Sequence, residues 1–290
     1  MKIAPDCIAC MLRMALATAR LTLEEKDVPD FLGRVLEVEA LRGRNWQVTA
    51  PEVVKDFWMV LVSMTGGEDP LRAVKDRQNR MAQDIYPAAQ ELVQRSDDPF
   101  STAVKCAVAG NALDVMVDID AAPADRFLET LESWEIDLGS VRVLEERVRH
   151  AARVVYFTDN CGEIVFDRLL LETITRISKL EVTAVTRSLP VLNDATVEDA
   201  KVVGLDGVVP VIENGISVPL PATMLAWTSP EVRGLVEKAD LVIAKGGANY
   251  ECLSEDESLA GRVTFLFQGK CLPLCRAAEV GLGSLVVLNK

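Results

Sequence analysis

Two short polar segments carry the residue types that are best suited to chemistry. The first runs from Thr158 to Glu163 with the sequence TDNCGE, and the second runs from Pro190 to Thr196 with the sequence PVLNDAT. Each follows an apolar run that is typical of a buried strand. Open α/β sheets bind their ligands at the carboxyl ends of their strands, so the two segments are predicted to share one binding edge.

Within these segments, Asp159, Asn160 and Asp194 offer carboxylate and amide oxygens. Hard oxygen donors suit Mg²⁺ or Mn²⁺, whereas thiolates would suit zinc. A divalent metal at the edge of such a sheet predicts phosphate chemistry. The alternative is structural, because Asp and Asn also cap helices and form Asx turns, and the residues alone leave both interpretations open. Glu163 opens the following helix, whose backbone N–H groups could also hold an anion.

Two cationic residues lie at the ends of neighbouring predicted strands. Arg187 precedes the second segment and could bind a phosphate group through two hydrogen bonds. Lys245 ends a later strand and leads into Gly246 and Gly247, which would let the backbone approach a ligand closely. A surface arginine and an ordinary strand-to-helix turn are the plainer alternatives. The order of glycine and lysine differs from a P-loop, and no Gly-x-Gly-x-x-Gly motif follows the first strand, which disfavours dinucleotide binding.

The elements that would position these residues change character near residue 150. Residues 1–150 show mostly helical periodicity, including predicted helices at 10–23, 71–96 with a break at Pro87, and 100–117. Residues 151–290 alternate strands with helices, which indicates a mostly parallel sheet covered by helices. The predicted strands are 154–157, 181–186, 207–212, 240–244, 263–267 and 284–288.

Composition narrows the functional class. The chain has 290 residues and a formal charge of −13, so a nucleic-acid or anionic-membrane partner is disfavoured. A small phosphorylated substrate is still compatible with that charge, because one local cation can outweigh it. We find neither a secretory leader nor an apolar run long enough to span a membrane, and we expect a cytoplasmic protein.

Seven cysteines in such a chain are expected to be reduced thiols or metal ligands. Cys7 and Cys10 form a Cys-x-x-Cys pair, and Cys271 with Cys275 forms a second pair at wider spacing. The pairs could together make a four-thiolate zinc or iron site. The alternative is that they are ordinary buried thiols. The single His150 has no ligand motif beside it, which excludes a His-rich metal site.

Three motifs in the second half resemble those of a known family. Asp-Asn-x-Gly-Glu-Ile from residue 159, Asn-Asp-Ala-Thr from residue 193 and Lys-Gly-x-x-Asn-Tyr-Glu from residue 245 occur in that order. They are similar to the metal-dependent damage-control phosphatases, once catalogued as domain of unknown function 89. The resemblance extends upstream to a Gly-Asn-x-x-Asp segment at residues 110–114 and to the N-terminal Cys-x-x-Cys of the prokaryotic branch.

This resemblance implies a helical region, residues 1–150, packed on a Rossmann-like three-layer α/β/α domain, residues 151–290. It implies one divalent ion (Mg, Mn, Co or Ni) bound by the three oxygen-bearing residues, and hydrolysis of phosphomonoesters such as sugar phosphates or damaged phosphometabolites. The residues matched to the family's catalytic groups are Asp159, Asp194 and Lys245. Those matched to its substrate-binding cleft are Glu163, Arg187, Asn249, Asn111 and Asp114, and those that would form a soft-metal or redox site are Cys7, Cys10 and Cys271.

The expected mechanism uses the metal to polarise a phosphoryl oxygen while Lys245 and Arg187 offset the charge of the transferred group. The nucleophile is either a water molecule on the metal or an Asp carboxylate, and the sequence does not choose between them. Two other functions stay open. One is a Rossmann-like S-adenosylmethionine-dependent methyltransferase, and the other is a non-catalytic metal or metabolite binder that uses the cysteines. The oligomeric state is not predicted.

Overall fold

A computed structural model of the chain describes residues 1–67, 69–110 and 133–290, together with residues 127, 129 and 131. The predicted helical character of the first half is confirmed over these residues. The helices described there are α1 (Pro5–Thr22), α2 (Val28–Val35), α3 (Ala50–Thr65), α4 (Arg72–Arg95), α5 (Pro99–Gly110) and α6 (Leu138–His150).

Local sequence signals explain several of the helix ends. Helix α1 begins at Pro5, five residues earlier than predicted, because proline is well tolerated in a first turn that needs no N–H donor. Helix α3 begins with a capping box, in which the Thr49 side chain and the Glu52 side chain each bond the other's backbone N–H. It ends at Gly66, which adopts a left-handed conformation with φ of 65°.

The predicted break at Pro87 is wrong, because α4 continues through this residue to Arg95. Proline removes one backbone hydrogen bond, which favours a break when a helix is exposed. Here the flanking turns are held by packing, since Ile85 and Ala89 are buried in the main core. Tyr86 also donates to Glu172 at 2.8 Å. Tertiary contacts therefore outweigh the local preference.

The second half forms one six-stranded sheet. Its strands are β1 (Arg153–Phe157), β2 (Glu181–Thr186), β3 (Val211–Glu213), β4 (Leu241–Lys245), β5 (Val263–Gln268) and β6 (Leu285–Asn289). Their order is β3-β2-β1-β4-β5-β6, with the first five parallel and β6 antiparallel to β5. The mostly parallel sheet was predicted, and the strand order is that of a doubly wound α/β sheet with its last strand reversed.

Five of the predicted strands match the observed ones to within one residue at each end. The third is shifted, since residues 207–212 were predicted and Val211–Glu213 is observed. Residues 205–209 form a turn instead, in which the N–H groups of Val208 and Val209 both donate to the Leu205 carbonyl. The apolar run therefore reflects the burial of a turn and not of a strand.

Helices cover both faces of the sheet, which gives three layers. The remaining helices are α7 (Glu163–Ile177), α8 (Val197–Val202), α9 (Pro230–Lys238), α10 (Gly247–Leu253) and α11 (Leu272–Ala278). Alternate residues of each strand point to opposite faces: Val154 and Tyr156 join a core with α5 and α7, while Val155 and Phe157 join a core with α9 to α11.

Packing crosses the predicted boundary at residue 150. Helix α5 lies so close to α7 that a Cβ atom added to Gly110 would lie 2.9 Å from a ring carbon of Phe166. One hydrophobic core includes residues of α4, α5 and α6 together with strands of the sheet. The division into 1–150 and 151–290 stays a prediction. Among the described residues, no helix is both long and apolar enough to cross a lipid bilayer.

Candidate active site

The two polar segments meet at the carboxyl edge of the sheet, as their positions predicted. Asp159 and Asn160 follow β1, and Asp194 lies in the loop between β2 and α8. Asn160 and Asp194 form an isolated antiparallel bridge. The Ala195 N–H donates to the Asp159 carbonyl at 2.8 Å, and the Cys161 N–H donates to the Asn193 carbonyl at 2.8 Å. Backbone hydrogen bonds therefore hold the predicted metal-binding side chains beside one another.

Arg187, which follows β2, connects the two carboxylates. Its side chain is buried; its Nε donates to Asp194 Oδ2 at 2.6 Å and its Nη2 donates to Asp159 Oδ1 at 3.1 Å. Its Nη1 donates to the Thr223 hydroxyl at 3.2 Å and to Asn249 Oδ1 at 3.3 Å. The guanidinium thus lies at the centre of the cluster, where the sequence predicted a phosphate-binding group.

Asn249, in the first turns of α10, uses both ends of its amide to join strand ends. Its Nδ2 donates to the carbonyls of Thr158 at 3.1 Å and Lys245 at 2.7 Å. Its Oδ1 accepts from the Thr223 N–H at 2.8 Å in addition to Arg187. These contacts position the ends of β1 and β4 relative to each other. The predicted contact of Asn249 with substrate phosphate stays a prediction.

Lys245 is fully buried and pairs with two carboxylates on α7. Its Nζ donates to Glu163 Oε1, to Asp167 Oδ1 and to the Ala107 carbonyl. This arrangement differs from the predicted phosphate contact, because the Lys245 ammonium group is already paired with the carboxylates of Glu163 and Asp167. The other oxygen of Glu163, Oε2, accepts from Asn160 Nδ2 at 3.3 Å. Lys245 is therefore connected to the predicted metal ligand Asn160 through hydrogen bonds to Glu163.

Asp167 is a site residue that the sequence analysis missed. It lies one helical turn after Glu163 on an otherwise apolar face of α7, and this spacing was the available signal. Its Oδ1 also accepts from the Tyr156 hydroxyl at 2.8 Å. Burial raises the pKa of the Asp167 carboxyl to about 6, and the Glu163 charge adds to this effect while Lys245 opposes it.

The cluster as a whole is negatively charged. Among the described residues, four buried carboxylates (Asp159, Asp194, Glu163 and Asp167) face two buried cations, Arg187 and Lys245. Burial raises the pKa of the Asp159 carboxyl well above its usual range, and the charges of Asp194 and Glu163 raise it further. Both effects disfavour the ionised carboxylate, and a divalent cation beside it would remove that cost.

Asn160 has the orientation that a metal ligand needs. Its Nδ2 donates to Asp159 Oδ2 at 3.0 Å as well as to Glu163, which fixes the orientation of the amide. In the part of the chain that the structure describes, no hydrogen bond engages its Oδ1. Two carboxylates and one amide oxygen form the hard donor set that Mg²⁺ or Mn²⁺ prefers, so these residues fit a divalent ion.

Two glycines permit this close arrangement. Gly246 has φ of 81°, and a Cβ atom added there would lie 1.8 Å from Asp159 Oδ2. Gly162 has φ of 78°, and its N–H donates to Asn79 Oδ1 at 2.7 Å. Both positions therefore need glycine for conformation, and Gly246 also needs it for space.

Lys270, an exposed residue after β5, was also missed by the sequence analysis. Its positive charge lowers the pKa of Asp159, against the larger effects of burial and neighbouring carboxylates. It therefore brings a third cation to the same edge of the sheet. The available signal was a lysine directly after a predicted strand. The predicted cleft residues Asn111 and Asp114 lie outside the described residues.

The seven cysteines are all free, and α1, which carries Cys7 and Cys10, contacts α11, which follows Cys271. Burial raises the pKa of the Cys271 thiol to about 11, against a backbone hydrogen bond at Leu274 that lowers it. Within the described ranges, however, no three side chains of the His, Cys, Asp or Glu type are grouped so that they could hold a metal. The set of Asp159, Asn160 and Asp194 contains two such side chains and one amide. The soft-metal or redox role of Cys7, Cys10 and Cys271 stays a prediction.

Comparison with known proteins identifies the family. Residues 3–286 match the model of the damage-control phosphatase ARMT1-like domain. A damage-control phosphatase of Archaeoglobus fulgidus is 35% identical over 290 residues, which cover 99% of this chain and 98% of that protein. The damage-control phosphatase PH1575 of Pyrococcus horikoshii is 30% identical over 293 residues, which cover 100% of this chain and 98% of that protein.

The fold agrees with this assignment. The crystal structure of PH1575, described as a DUF89 family protein, superposes with a TM-score of 0.87 at 29% identity and covers 100% of this chain and 99% of that one. The family match spans both the helical half and the sheet, as the resemblance of the motifs suggested. The chain belongs to the family of damage-control phosphatases with an ARMT1-like domain.

Proposed function

We propose that this chain is a divalent-metal-dependent phosphatase that hydrolyses phosphomonoesters of small metabolites, such as sugar phosphates or damaged phosphometabolites. The observation that carries the proposal is the negatively charged cluster at the sheet edge, in which Asp159, Asn160 and Asp194 are held together beside Arg187. The names of the relatives support the reaction class.

In this proposal, Asp159, Asn160 and Asp194 hold one ion of Mg²⁺, Mn²⁺, Co²⁺ or Ni²⁺. When bound, the ion supplies positive charge that polarises a phosphoryl oxygen. Arg187 and Lys270 provide further positive charge for the transferred group, which matters because phosphoryl transfer depends mainly on positioning and electrostatic stabilisation.

Lys245 is proposed as a positioning residue. It holds Glu163, and Glu163 holds the amide of Asn160 with the oxygen free to bind the ion. Asp167 and the Ala107 carbonyl complete the environment of the ammonium group. Partners that orient a ligand in this way commonly change metal affinity by tenfold or more when they are removed.

The first experiment is hydrolysis of an aryl phosphate by protein that has been stripped of metal with a chelator. Mg²⁺, Mn²⁺, Co²⁺ and Ni²⁺ are added back singly to the wild type, to Asp194→Ala and to the control Asp206→Ala, whose side chain is exposed. We expect metal to restore turnover in the wild type and the control but not in Asp194→Ala. Full metal-dependent turnover in Asp194→Ala would refute the assignment of this ligand.

A negative result in the wild type would decide against the phosphatase proposal. If no metal restores activity on the aryl phosphate or on a panel of sugar phosphates, the phosphatase proposal fails. Metal binding measured by calorimetry would then separate two cases. A protein that binds Mn²⁺ without turnover would be a metal-binding protein, and one that binds none would lack the proposed site altogether.

A further inference from the structure

Two neighbouring amide side chains on α4 stand out because their polar atoms are buried without partners. Among the described residues, five buried side-chain nitrogen and oxygen atoms have no hydrogen bond. Three of the five belong to Gln78 and Asn79, namely both amide atoms of Gln78 and the Nδ2 of Asn79. Gln78 is 4% exposed and Asn79 is 0% exposed. Leaving such groups unpaired is costly, so native proteins usually keep them for a reason.

Gln78 and Asn79 lie against the turn that follows the proposed metal ligands Asp159 and Asn160. Asn79 Oδ1 accepts from the Gly162 N–H at 2.7 Å, two residues after Asn160. A Cβ atom added to Gly162 would lie 3.3 Å from the backbone carbonyl oxygen of Gln78 and 3.4 Å from the Gln78 Cβ atom. The N-terminal helical half therefore places both residues against the turn that follows the proposed metal ligand Asn160.

The chemistry of these groups favours a neutral ligand that both donates and accepts hydrogen bonds. Gln78 offers an acceptor and two donors, and Asn79 Nδ2 offers donors. Arg77 and Arg80, which flank the pair, are exposed, and the nearest buried cation on the helix, Lys75, is already paired with Asp69 and Asp199. The amides would thus suit hydroxyl groups rather than a second anion.

We infer that Gln78 and the Nδ2 group of Asn79 recognise hydroxyl groups on the organic part of a phosphomonoester whose phosphate is held at the sheet edge. This inference rests on the proposed phosphatase function and extends it to specificity. Substrate hydroxyls would give the orphaned amide atoms their partners only in the complex. A site built to hydrogen-bond a hydroxyl discriminates strongly against an analogue that lacks it.

The test compares Gln78→Leu and Gln78→Met with a matched control, Gln94→Leu, which removes an exposed glutamine from the same helix. The substrates are a panel of pentose and hexose phosphates and propyl phosphate, which has no hydroxyl group. For each protein, kcat/KM is measured on every substrate in the presence of the activating metal, and Tm is measured without substrate.

We expect the ratio of kcat/KM for the preferred sugar phosphate to that for propyl phosphate to fall about tenfold or more in both Gln78 variants. We also expect their Tm to equal or exceed that of the wild type, because an unpaired buried amide has been replaced by an apolar group. Gln94→Leu should keep the wild-type ratio.

Two outcomes would overturn the inference while leaving the phosphatase proposal intact. One is an unchanged ratio in both Gln78 variants. The other is an equal loss on every substrate accompanied by a lower Tm, which would make the Gln78 amide a structural group. A wild-type protein that hydrolyses neither class of substrate would instead refute the phosphatase proposal and, with it, the inference that rests on it.

Discussion

Two buried aspartates, Asp159 at the active-site edge and Asp199 at the start of α8, show opposite electrostatic behaviour. Burial tends to raise the pKa of both. For Asp199 this tendency is outweighed by Lys75 and by hydrogen bonds from Thr196, which lower the pKa to about 2. For Asp159 it is reinforced by neighbouring carboxylates, and the pKa is raised well above its usual range.

Both side chains are buried, and their partners differ. Asp199 accepts from Lys75 at 2.9 Å, from Arg72 at 2.6 Å and from the Thr196 N–H at 2.9 Å. Asp159 shares the single guanidinium of Arg187 with a second carboxylate, Asp194. A buried charge that is fully paired serves structure, whereas a crowded one is typical of a site that binds a cation.

The largest effect should come from replacing the crowded aspartate. Asp159→Asn keeps the shape of the side chain but removes a charged metal ligand, so we expect metal-dependent kcat/KM to fall about a thousandfold. The metal-free protein should be at least as stable as the wild type, because one of several crowded negative charges is gone. Kinetics and urea unfolding of the chelator-treated protein measure both. A stability loss of several kcal/mol would show that Asp159 is held as a structural group like Asp199.

The same substitution at the paired aspartate should act mainly on stability. Asp199→Asn leaves the buried Lys75 without its closest buried carboxylate, so we expect the free energy of unfolding to fall by about 3 kcal/mol. Urea denaturation at neutral pH provides the measurement, with Asp206→Asn as the exposed control. If unfolding is unaffected while turnover is abolished, the division between the structural and the functional aspartate is wrong.

The part of the site that lies at the strand ends could be predicted from the sequence. Asp159, Asn160 and Asp194 were found because they follow strands, and parallel strands bring their carboxyl ends to one edge of the sheet. Arg187 was found in the same way, and the family motifs then extended the prediction to Asn249. These residues either lie close together in the chain or occupy equivalent positions at the ends of parallel strands. A pattern in a single sequence can therefore reveal them.

The contacts that the sequence analysis missed join elements that are distant in the chain. The pairing of Lys245 involves α7 and the Ala107 carbonyl of α5, and no short-range pattern links them. Gln78 and Asn79 lie beside the Gly162 turn only because α4 packs against it. The break predicted at Pro87 was wrong for the same reason, since local preference was overruled by packing.

A third prediction concerns the close approach that keeps Asp159 in place. In Gly246→Ala the new methyl group would lie 1.8 Å from Asp159 Oδ2 at a backbone φ of 81°. We expect about 2 kcal/mol of destabilisation from strain and a clear loss of metal affinity, because the carboxylate must move. Calorimetric titration with Mn²⁺ and thermal unfolding measure the two effects. Gly234→Ala is the control, since nothing lies within 4 Å of a Cβ atom added there; equal metal affinity in both variants would contradict the expectation.

The smallest expected effect is the contribution of Asp199 to the pH dependence of the free energy of unfolding. Its folded-state pKa of about 2 is below the ordinary value of 3.8, so it contributes stability above pH 4 that is lost as the pH falls through the folded value. The shift corresponds to about 2 kcal/mol. Urea unfolding of metal-free wild type and Asp199→Asn at a series of pH values from neutral to about 2 would isolate this contribution, because all other carboxylates titrate in both proteins. The stability difference between the two proteins should shrink across that interval. A difference that stays constant down to pH 2 would mean that the charge of Asp199 does not stabilise the fold, and the contrast with Asp159 would then rest on geometry alone.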